Sequence, residues 1–452
     1  MKIKSKKEIH SDKLIDIQIA DENEQETLMA IETDSPKDDI LPIILFFTLI
    51  ASTTFAGIYG PPLYNVEFFR FRFEKNPPNI FNQHIPGITS QQQFFIMQLS
   101  FNSQSRSEYT ELPVEFNYIM IFKNSRNEEV RRETGNFADK VILQPFSTTT
   151  EPLHFFFDRF ISYDQLDIRI DFTKSDNIEE AILSATSGDG GHLKYQFYVR
   201  LLFVFAASAI FILFYARLQT LPKKNWLLEQ KFTLTLQIFS IIGANPLFWF
   251  YINYPSILQD IVNTLVSRIF TCFVFFYILV ILDNVVIGNR KDRTCFFIPK
   301  AIFFSFHLII EILYPIMYHG LASLGVEALP HAFVFIFRYT RIILNFVFII
   351  WFMYLTFKGF LNTDSTEHSK LIVYTIVFTA TLIINLCDIF LTNISLFQNT
   401  SGLFSLKFSS LYGFVILMVF FHWPYETSID QQYNDPELDN DPKNIFESDD
   451  GK

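Results

Sequence analysis

The sequence predicts an α-helical membrane protein in which a seven-helix bundle follows an N-terminal signal-anchor helix and a luminal all-β sandwich domain. Composition supports the membrane class, because half of the 452 residues are hydrophobic and 55 of them are Phe. The apolar residues also cluster, since long runs separated by short polar connections occupy the chain from about Tyr195 onward. A polar stretch between the first and second runs alternates apolar and charged residues, which is typical of β-strands.

Each predicted membrane span is a run of about 20 mostly apolar residues, the length that crosses the hydrocarbon core as a helix. Eight runs qualify, at 41–59, 196–216, 232–252, 262–287, 299–318, 332–357, 371–394 and 404–423. The first run has the composition of a signal peptide cleaved after Ala56, but the long polar segment before it favours an uncleaved anchor. The predicted parts of the chain are a disordered cytosolic tail at 1–40, the anchor at 41–59, the β domain at 60–195, the bundle at 196–423 and an acidic cytosolic tail at 424–452.

The connections between the runs differ in charge, and this difference predicts the orientation. Lys and Arg accumulate in cytosolic loops. One set of connections, with the run edges beside them, carries Arg217, Lys223, Lys224, Lys231, Arg290, Lys291, Arg293, Lys300, Lys358 and Lys370. The other set, at 253–261, 319–331 and 395–407, carries only Lys407. We therefore expect both chain ends in the cytosol and residues 60–195 in the lumen or outside the cell.

The stretch at 60–195 carries several short strand patterns. Apolar residues at 166, 168, 170 and 172 alternate with Asp167, Arg169 and Asp171, which predicts a half-buried strand. Further strands are predicted at 92–101, 114–123, 139–146 and 153–161. Several short strands with turn residues between them predict a β-sandwich. The polar, Gly-containing stretch at 173–192 is predicted to be a linker into the bundle.

Several function classes are disfavoured. The net charge of −11 argues against nucleic-acid binding, which uses basic patches. The sequence holds no HExxH, GxSxG or P-loop motif. His307, His319 and His331 lack the spacing of metal ligands, and packing or interfacial positions are expected for them. The protein is therefore predicted not to be an enzyme and to need no metal or cofactor.

Polar residues inside the predicted spans are the strongest functional signal, because charges in a spanning helix are costly and usually face the bundle interior or water. They are Asn245, Arg268, Glu311, Arg338, Arg341, Asn345 and Asp388. With a rise of about 1.5 Å per residue, Asn245, Arg268, Glu311, Arg338 and Asp388 fall roughly 9–12 Å below the luminal surface. Arg341 lies one turn deeper. Five helices thus place polar groups in one layer, in which acidic and basic members can pair.

Two interpretations of this layer remain open. In the first, Asn245, Arg268, Glu311, Arg338, Arg341 and Asp388 line a luminal-facing cavity that binds an anionic head group or an acidic peptide segment. In the second, they are structural ion pairs that fix helix packing. Proline after Asn245 frees a backbone carbonyl inside the third span, which fits either interpretation.

Several short motifs together are typical of a known family. They are Glu229-Gln230-Lys231, Asn245-Pro246-Leu247-Phe248, Tyr254-Pro255, Leu258-Gln259-Asp260, Arg293-Thr294-Cys295-Phe296-Phe297-Ile298-Pro299-Lys300 and Leu411-Tyr412-Gly413, followed by Pro424 and an acidic tail. The chain thereby resembles Wntless-like transmembrane proteins, of the transmembrane protein 181 type. The resemblance implies a luminal GOLD-like β-sandwich on seven helices. The Wntless protein itself has Cys residues in its luminal domain, whereas this chain has none between Gly60 and Tyr195.

The resemblance implies a receptor-like protein of the Golgi, endosomes or plasma membrane that holds a lipidated or hydrophobic ligand in a cavity open to the lumen. We therefore expect a cargo or ligand receptor whose partners are membrane lipid, a lipidated or secreted protein, and sorting adaptors that bind the tails. Glu24 followed by Leu28-Met29 loosely fits an acidic dileucine sorting signal. The alternatives are a heptahelical signalling receptor and an ion or solute channel or transporter. The short cytosolic loops without a DRY-like motif count against the signalling receptor, and the few charges in the cytosolic halves of the spans count against the channel or transporter.

Overall fold

The computed structural model describes residues 27–33, 40–74, 79–89, 91–103, 108–159, 161–174, 178–254, 256–287, 293–315, 331–362, 368–386 and 398–426. The predictions for Asp388, for His319 and for most of both tails lie outside the described residues. The chain begins with a short strand, β1 (Thr27–Met29), a single helical turn, α1 (Ala30–Thr33), and the first long apolar helix, α2 (Ile40–Ile58).

A β-sandwich follows α2, as predicted. Its strands are β2 (Tyr64–Arg72), β3 (Asn79–Pro86), β4 (Phe94–Asn102), β5 (Thr110–Lys123), β6 (Glu129–Leu143), β7 (Leu153–Arg159), β8 (Gln165–Lys174) and β9 (Glu180–Gly188). They form two antiparallel four-stranded sheets, ordered β2-β9-β4-β7 and β3-β8-β5-β6. Alternate residues of the strands point between the sheets and form one apolar core.

The predicted alternation in β8 is confirmed. Leu166, Ile168, Ile170 and Phe172 are buried between the sheets, and Asp167 between them points outward to Lys123. The predicted linker at 173–192 is wrong. Its central part forms β9, a strand of nine residues that lies inside the first sheet between β2 and β4. Of its inward side chains only Leu183 is bulky, while Ala181 and Ala185 are small, so the stretch lacks the sustained bulky alternation that predicts a strand.

The bundle consists of helices that begin directly after β9. They are α3 (Gly190–Gln219), α4 (Leu228–Gly243), α5 (Phe248–Asn253), α6 (Ile257–Ile287), α7 (Arg293–Pro315), α8 (His331–Asn362), α9 (His368–Leu386) and α10 (Gly402–Phe421). Together with α2, and with α4 and α5 counted as one span, the described chain has eight helical segments long and apolar enough to cross a membrane. The predicted membrane class with eight spans is therefore confirmed.

Helices α2 and α10 pack closely and antiparallel. A Cβ atom on Gly57 would lie 2.8 Å from the carbonyl oxygen of Ser401, and one on Gly413 would lie 3.0 Å from the ring of Phe46. Glycine therefore permits the close backbone approach that membrane helices use when lipid offers no hydrophobic driving force between them. The predicted anchor helix is an integral part of the bundle.

The segments before α2 and after α10 meet at one end of the bundle. Strand β1 pairs antiparallel with β10 (Pro424–Glu426), and the backbone N–H of Ala30 donates to the carbonyl oxygen of Trp423 at 3.0 Å. Both segments therefore lie on the same side, called the tail side below. The sandwich lies at the other end, called the sandwich side. Met29, half of the dileucine pattern, is buried here at 1% exposure.

Candidate functional site

Three of the predicted polar residues form one ion cluster between α6, α7 and α8. Each carboxylate oxygen of Glu311 accepts a hydrogen bond from a different arginine. Arg268 Nη1 lies 2.9 Å from Oε2, and Arg341 Nε lies 2.5 Å from Oε1. Glu311 is 6% exposed, while the side chains of Arg268 and Arg341 retain 34% and 24% exposure. Two cations on one carboxylate leave the cluster with one net positive charge.

His307 packs beside this cluster without joining it. Its Nε2 lies 3.8 Å from Glu311 Oε1, which is too far for a hydrogen bond. The imidazole lies instead between the rings of Phe275 and Phe303, with ring centroids 6.0 and 5.8 Å away. The packing position that the sequence predicted for His307 is confirmed.

The remaining predicted residues lie apart from the cluster. Arg338 is exposed, one turn from Arg341 on α8, and makes no hydrogen bond or ion pair with any described residue. Asn245 is buried and donates through Nδ2 to the side-chain oxygen of Asn263 on α6 at 3.0 Å. Asp388 lies outside the described residues. The structure thus brings Arg268, Glu311 and Arg341 together. Asn245 contacts α6 at Asn263, five residues before Arg268 and nearer the sandwich side.

Asn245 lies at a break in the third span. Helix α4 ends at Gly243, Asn245 takes a left-handed φ of 53°, and α5 begins at Phe248. Pro246 has no N–H to continue the helical ladder, so the last carbonyl groups of α4 are left without helical donors inside the membrane. A Cβ atom on Gly243 would lie 2.6 Å from the side chain of Phe270, so the break also allows α4 to approach α6 closely.

Arg200, which was not among the residues predicted from the sequence, lies against this break. Arg200 is 8% exposed on α3, and its Nη1 faces the carbonyl oxygen of Ala244 at 3.4 Å. The guanidinium also lies 4.4 Å from the ring centroid of Phe248 and within 6 Å of Phe404 and Phe408. A cation here is favoured by the negative end of the α4 dipole and by the faces of the aromatic rings.

Arg200 was not predicted because the second span was expected to begin at residue 196, which would place Arg200 near the membrane–water interface. The helix begins at Gly190, so Arg200 lies about 15 Å along it. The signal was present: Arg200 is the only charged residue in the apolar run from Tyr195 to Tyr215.

The sandwich is fastened to the bundle through α6. Arg159 at the end of β7 forms an ion pair with Asp260 in the first turn of α6, with Nη2 and Oδ2 2.6 Å apart. The hydroxyl of Tyr251 on α5 donates to the other Asp260 oxygen at 3.3 Å. A second connection runs through the start of α10, where Ser401 Oγ donates to the carbonyl oxygen of Pro61 at 2.7 Å.

Three of the polar contacts of α6 follow one another along the half of the helix nearer the sandwich. Asp260 binds the sandwich, Asn263 binds the break in the third span, and Arg268 binds the ion cluster. The sandwich and the ion cluster therefore contact the same helix, at Asp260 and Arg268 respectively.

The tail side of the bundle also holds a buried polar network that the sequence did not predict. Lys300, counted above as a loop residue, is 3% exposed and pairs with Asp283 of α6. His422, just after α10, contacts Thr233 Oγ1 and the hydroxyl of Tyr374, each at 2.6 Å. Lys300 therefore contributes less to the loop-charge argument than a solvated lysine would.

Comparison with known proteins gives the family. No curated protein matches the chain significantly. A family model described as Wntless-like, transmembrane domain, matches residues 189–426, a region that runs from the residue before α3 through β10. Because this match covers more than half of the chain and includes every bundle helix after α2, the protein belongs to the Wntless-like transmembrane family.

Proposed function

We propose that the protein is a receptor for a luminal cargo or ligand in the secretory pathway or at the cell surface. Its ligand carries an anionic group, such as a lipid head group or an acidic peptide segment, that binds the charged layer on the sandwich side. The proposal rests mainly on the ion cluster, because Arg268 and Arg341 keep one net positive charge and partial exposure after pairing with Glu311.

Three further features support a binding role. Arg338 is an exposed guanidinium one turn from the cluster, and no described residue pairs with it. Arginine binds carboxylates and phosphates through two parallel hydrogen bonds, which suits an anionic ligand. The sandwich, which fits the GOLD-like domain implied by the family resemblance, is connected to the same layer through Asp260 and α6. Binding, with no catalysed reaction, is the role that these groups suit.

The orientation belongs to this proposal. The basic connections lie at the tail side, so the tails are assigned to the cytosol and the sandwich to the lumen or cell exterior. In sealed vesicles with the cytosolic face outward, added protease should remove the chain ends and spare the sandwich. If the protease digests the sandwich and leaves the chain ends intact, the orientation is the opposite one and the proposal is wrong.

The binding test compares two matched substitutions on α8. Arg338→Met removes the exposed cation at the sandwich side, while Lys358→Met removes a cation from the same helix near the tail side. Wild-type protein and both variants are purified in mild detergent, and bound lipids and proteins are identified by mass spectrometry. We expect wild type and Lys358→Met to retain an anionic lipid or a luminal protein that Arg338→Met loses.

Thermal unfolding of the same samples separates binding from folding. Normal unfolding of Arg338→Met together with loss of the bound species supports the receptor. If Arg338→Met fails to fold, the charged layer serves helix packing and not ligand binding. Identical bound species in all three samples, or no anionic lipid and no luminal protein in the wild type, would overturn the proposal.

A further inference from the structure

One buried face of α4 is polar along most of its length. Gln230, Thr233, Gln237 and Ser240 recur at intervals of three or four residues, which places them on the same helix face. All four are at most 1% exposed. A membrane-spanning helix can bury such groups only where each finds a hydrogen-bond partner, because lipid offers none.

Two members of this face are satisfied by protein atoms. Thr233 Oγ1 contacts His422 Nδ1 at 2.6 Å and the hydroxyl of Tyr277 at 2.8 Å. Ser240 Oγ donates to the carbonyl oxygen of Gln237 at 2.7 Å. The carbonyl oxygen of Ser240 in turn accepts from the hydroxyl of Tyr412 on α10 at 2.9 Å.

Gln237 differs from these residues. Both atoms of its side-chain amide, Oε1 and Nε2, are buried and have no hydrogen-bond partner among the described residues. A primary amide offers two donors and two acceptor lone pairs. Leaving all of them unmade is rare in a folded protein and calls for a specific partner.

A small cavity lies against this amide, where α3, α4 and α10 meet. Phe203 and Ala207 of α3, Gln237 and Ser240 of α4, and Tyr412 of α10 line it. Its volume of about 10 Å³ is close to the 10–15 Å³ that one buried water requires. The polar groups in its wall come from Gln237, Ser240 and Tyr412.

We propose that one ordered water molecule binds in this cavity, held by the Gln237 amide and the neighbouring Tyr412 or Ser240 hydroxyl. A buried water needs two to four polar partners, which these groups supply. A cation is disfavoured because no lining residue is acidic and because Arg200 lies one turn from Phe203 on α3. The water connects α3, α4 and α10 near the middle of the membrane, and it supplies the Gln237 amide with a hydrogen-bond partner.

Hydroxyl-radical footprinting in ¹⁸O-labelled water tests this site directly, because radicals formed from a bound water label the side chains beside it. Tyr412 and Tyr277 form a matched internal pair: both tyrosines are at most 1% exposed, but only Tyr412 lines the cavity. In the wild-type protein in detergent, Tyr412 should gain ¹⁸O faster than Tyr277 if a water is held beside it. Equal labelling of the two tyrosines would overturn the proposal.

A cavity-filling variant gives the second measurement. Ala207→Val places extra methyl groups in the cavity and should displace the water, so the labelling of Tyr412 falls to the level of Tyr277. The same variant should lower the melting temperature, because the Gln237 amide loses its partner. A higher melting temperature with unchanged Tyr412 labelling would show that the cavity is dry, and would also overturn the proposal.

Discussion

In the β-sandwich, ion pairs lie on the surface, whereas in the helix bundle they lie between helices. Lys140 and Glu111 on the sandwich keep about two thirds of their side-chain surface exposed, at 66% and 64%. The side chains of Glu311 and Lys300 in the bundle are only 8% and 3% exposed. The core of the sandwich is apolar, and the buried polar residues among its described segments are Asn79, Ser103 and Thr150.

This difference follows from the two solvents. In water, the sandwich gains stability from every apolar side chain that it removes from solvent. In lipid, an apolar side chain gains little by moving from lipid to a helix interface, so small residues, aromatic packing and polar contacts decide which helices meet. The comparison predicts that apolar truncation destabilises the sandwich most, while loss of one charged group destabilises the bundle most.

The largest effect is expected in the sandwich core. Phe116 is 1% exposed and stacks on Phe137 with ring centroids 5.0 Å apart. Phe116→Ala should lower the free energy of unfolding of the sandwich by about 3–5 kcal/mol, because it removes a large buried ring and leaves a cavity. Hydrogen exchange of the β5 amides in the full-length protein measures this.

The matched control is Phe68→Ala, which truncates a ring that is 66% exposed on β2. It should change the stability of the sandwich by about 0.5 kcal/mol or less. If both substitutions have the same effect, apolar burial does not dominate the sandwich and the comparison fails.

The second largest effect is expected at the ion cluster. Glu311→Gln removes the only carboxylate that Arg268 and Arg341 share among the described residues. Two cations would remain partly buried without a counter-charge, so stability should fall by about 3 kcal/mol, the lower end for a broken buried pair. Chemical unfolding in detergent measures the change.

Arg338→Met serves as the control on the same layer. Because Arg338 is exposed and outside the cluster, its loss should shift stability by about 0.5 kcal/mol or less. A loss as large as that of Glu311→Gln would mean that the whole predicted layer acts as one structural unit, which favours the packing interpretation.

Some of the features that distinguish the two regions could be predicted from the sequence, and others could not. The strand pattern of β8 and the apolar spans follow from local periodicity, and both were predicted. Pro246 indicated a freed carbonyl inside the third span, but the break of the helix there was not predicted. The pairing of Glu311 with two arginines was also accessible, because helix rise placed these residues at similar depths. Arg338 fell in the same layer, but helix rise gives depth and not the direction of a side chain.

The elements that prediction missed depend on tertiary contacts. Two inward side chains of β9, Ala181 and Ala185, are small, so little in the local sequence distinguishes this strand from a linker. Lys300 looks like a loop residue until Asp283 of a neighbouring helix is known to face it. Arg200 stands out in the sequence as the one charged residue of its apolar run, but its contact with the broken end of α4 is visible only in the structure.

A third prediction concerns the contact between the two regions. Arg159 and Asp260 are about one fifth exposed, at 19% and 21%, so their pair should contribute on the order of 1 kcal/mol. Arg159→Met and Asp260→Asn, alone and combined, form a double-mutant cycle that isolates the pair. Hydrogen exchange at β7 and in the first turn of α6 should rise together in both single variants, and the double variant should add little. Strictly additive effects would mean that this pair does not couple the sandwich to the bundle.

The smallest effect is expected at a surface pair of the sandwich. Asp167 lies 2.7 Å from the ammonium of Lys123 and 2.6 Å from Nδ1 of His84, and the hydrogen bond from Lys123 is the main cause that lowers the pKa of Asp167 below its usual value. A carboxylate whose folded pKa is lowered adds stability above its unfolded pKa, and that contribution disappears as the pH falls through the folded pKa. Asp167→Asn should therefore cost about 0.2–1 kcal/mol at neutral pH, as exposed pairs do, and the difference from wild type should vanish in strong acid. A difference that persists unchanged at a pH well below the usual pKa of aspartate would mean that Asp167 acts by packing, and surface charge in the sandwich would then resemble buried charge in the bundle.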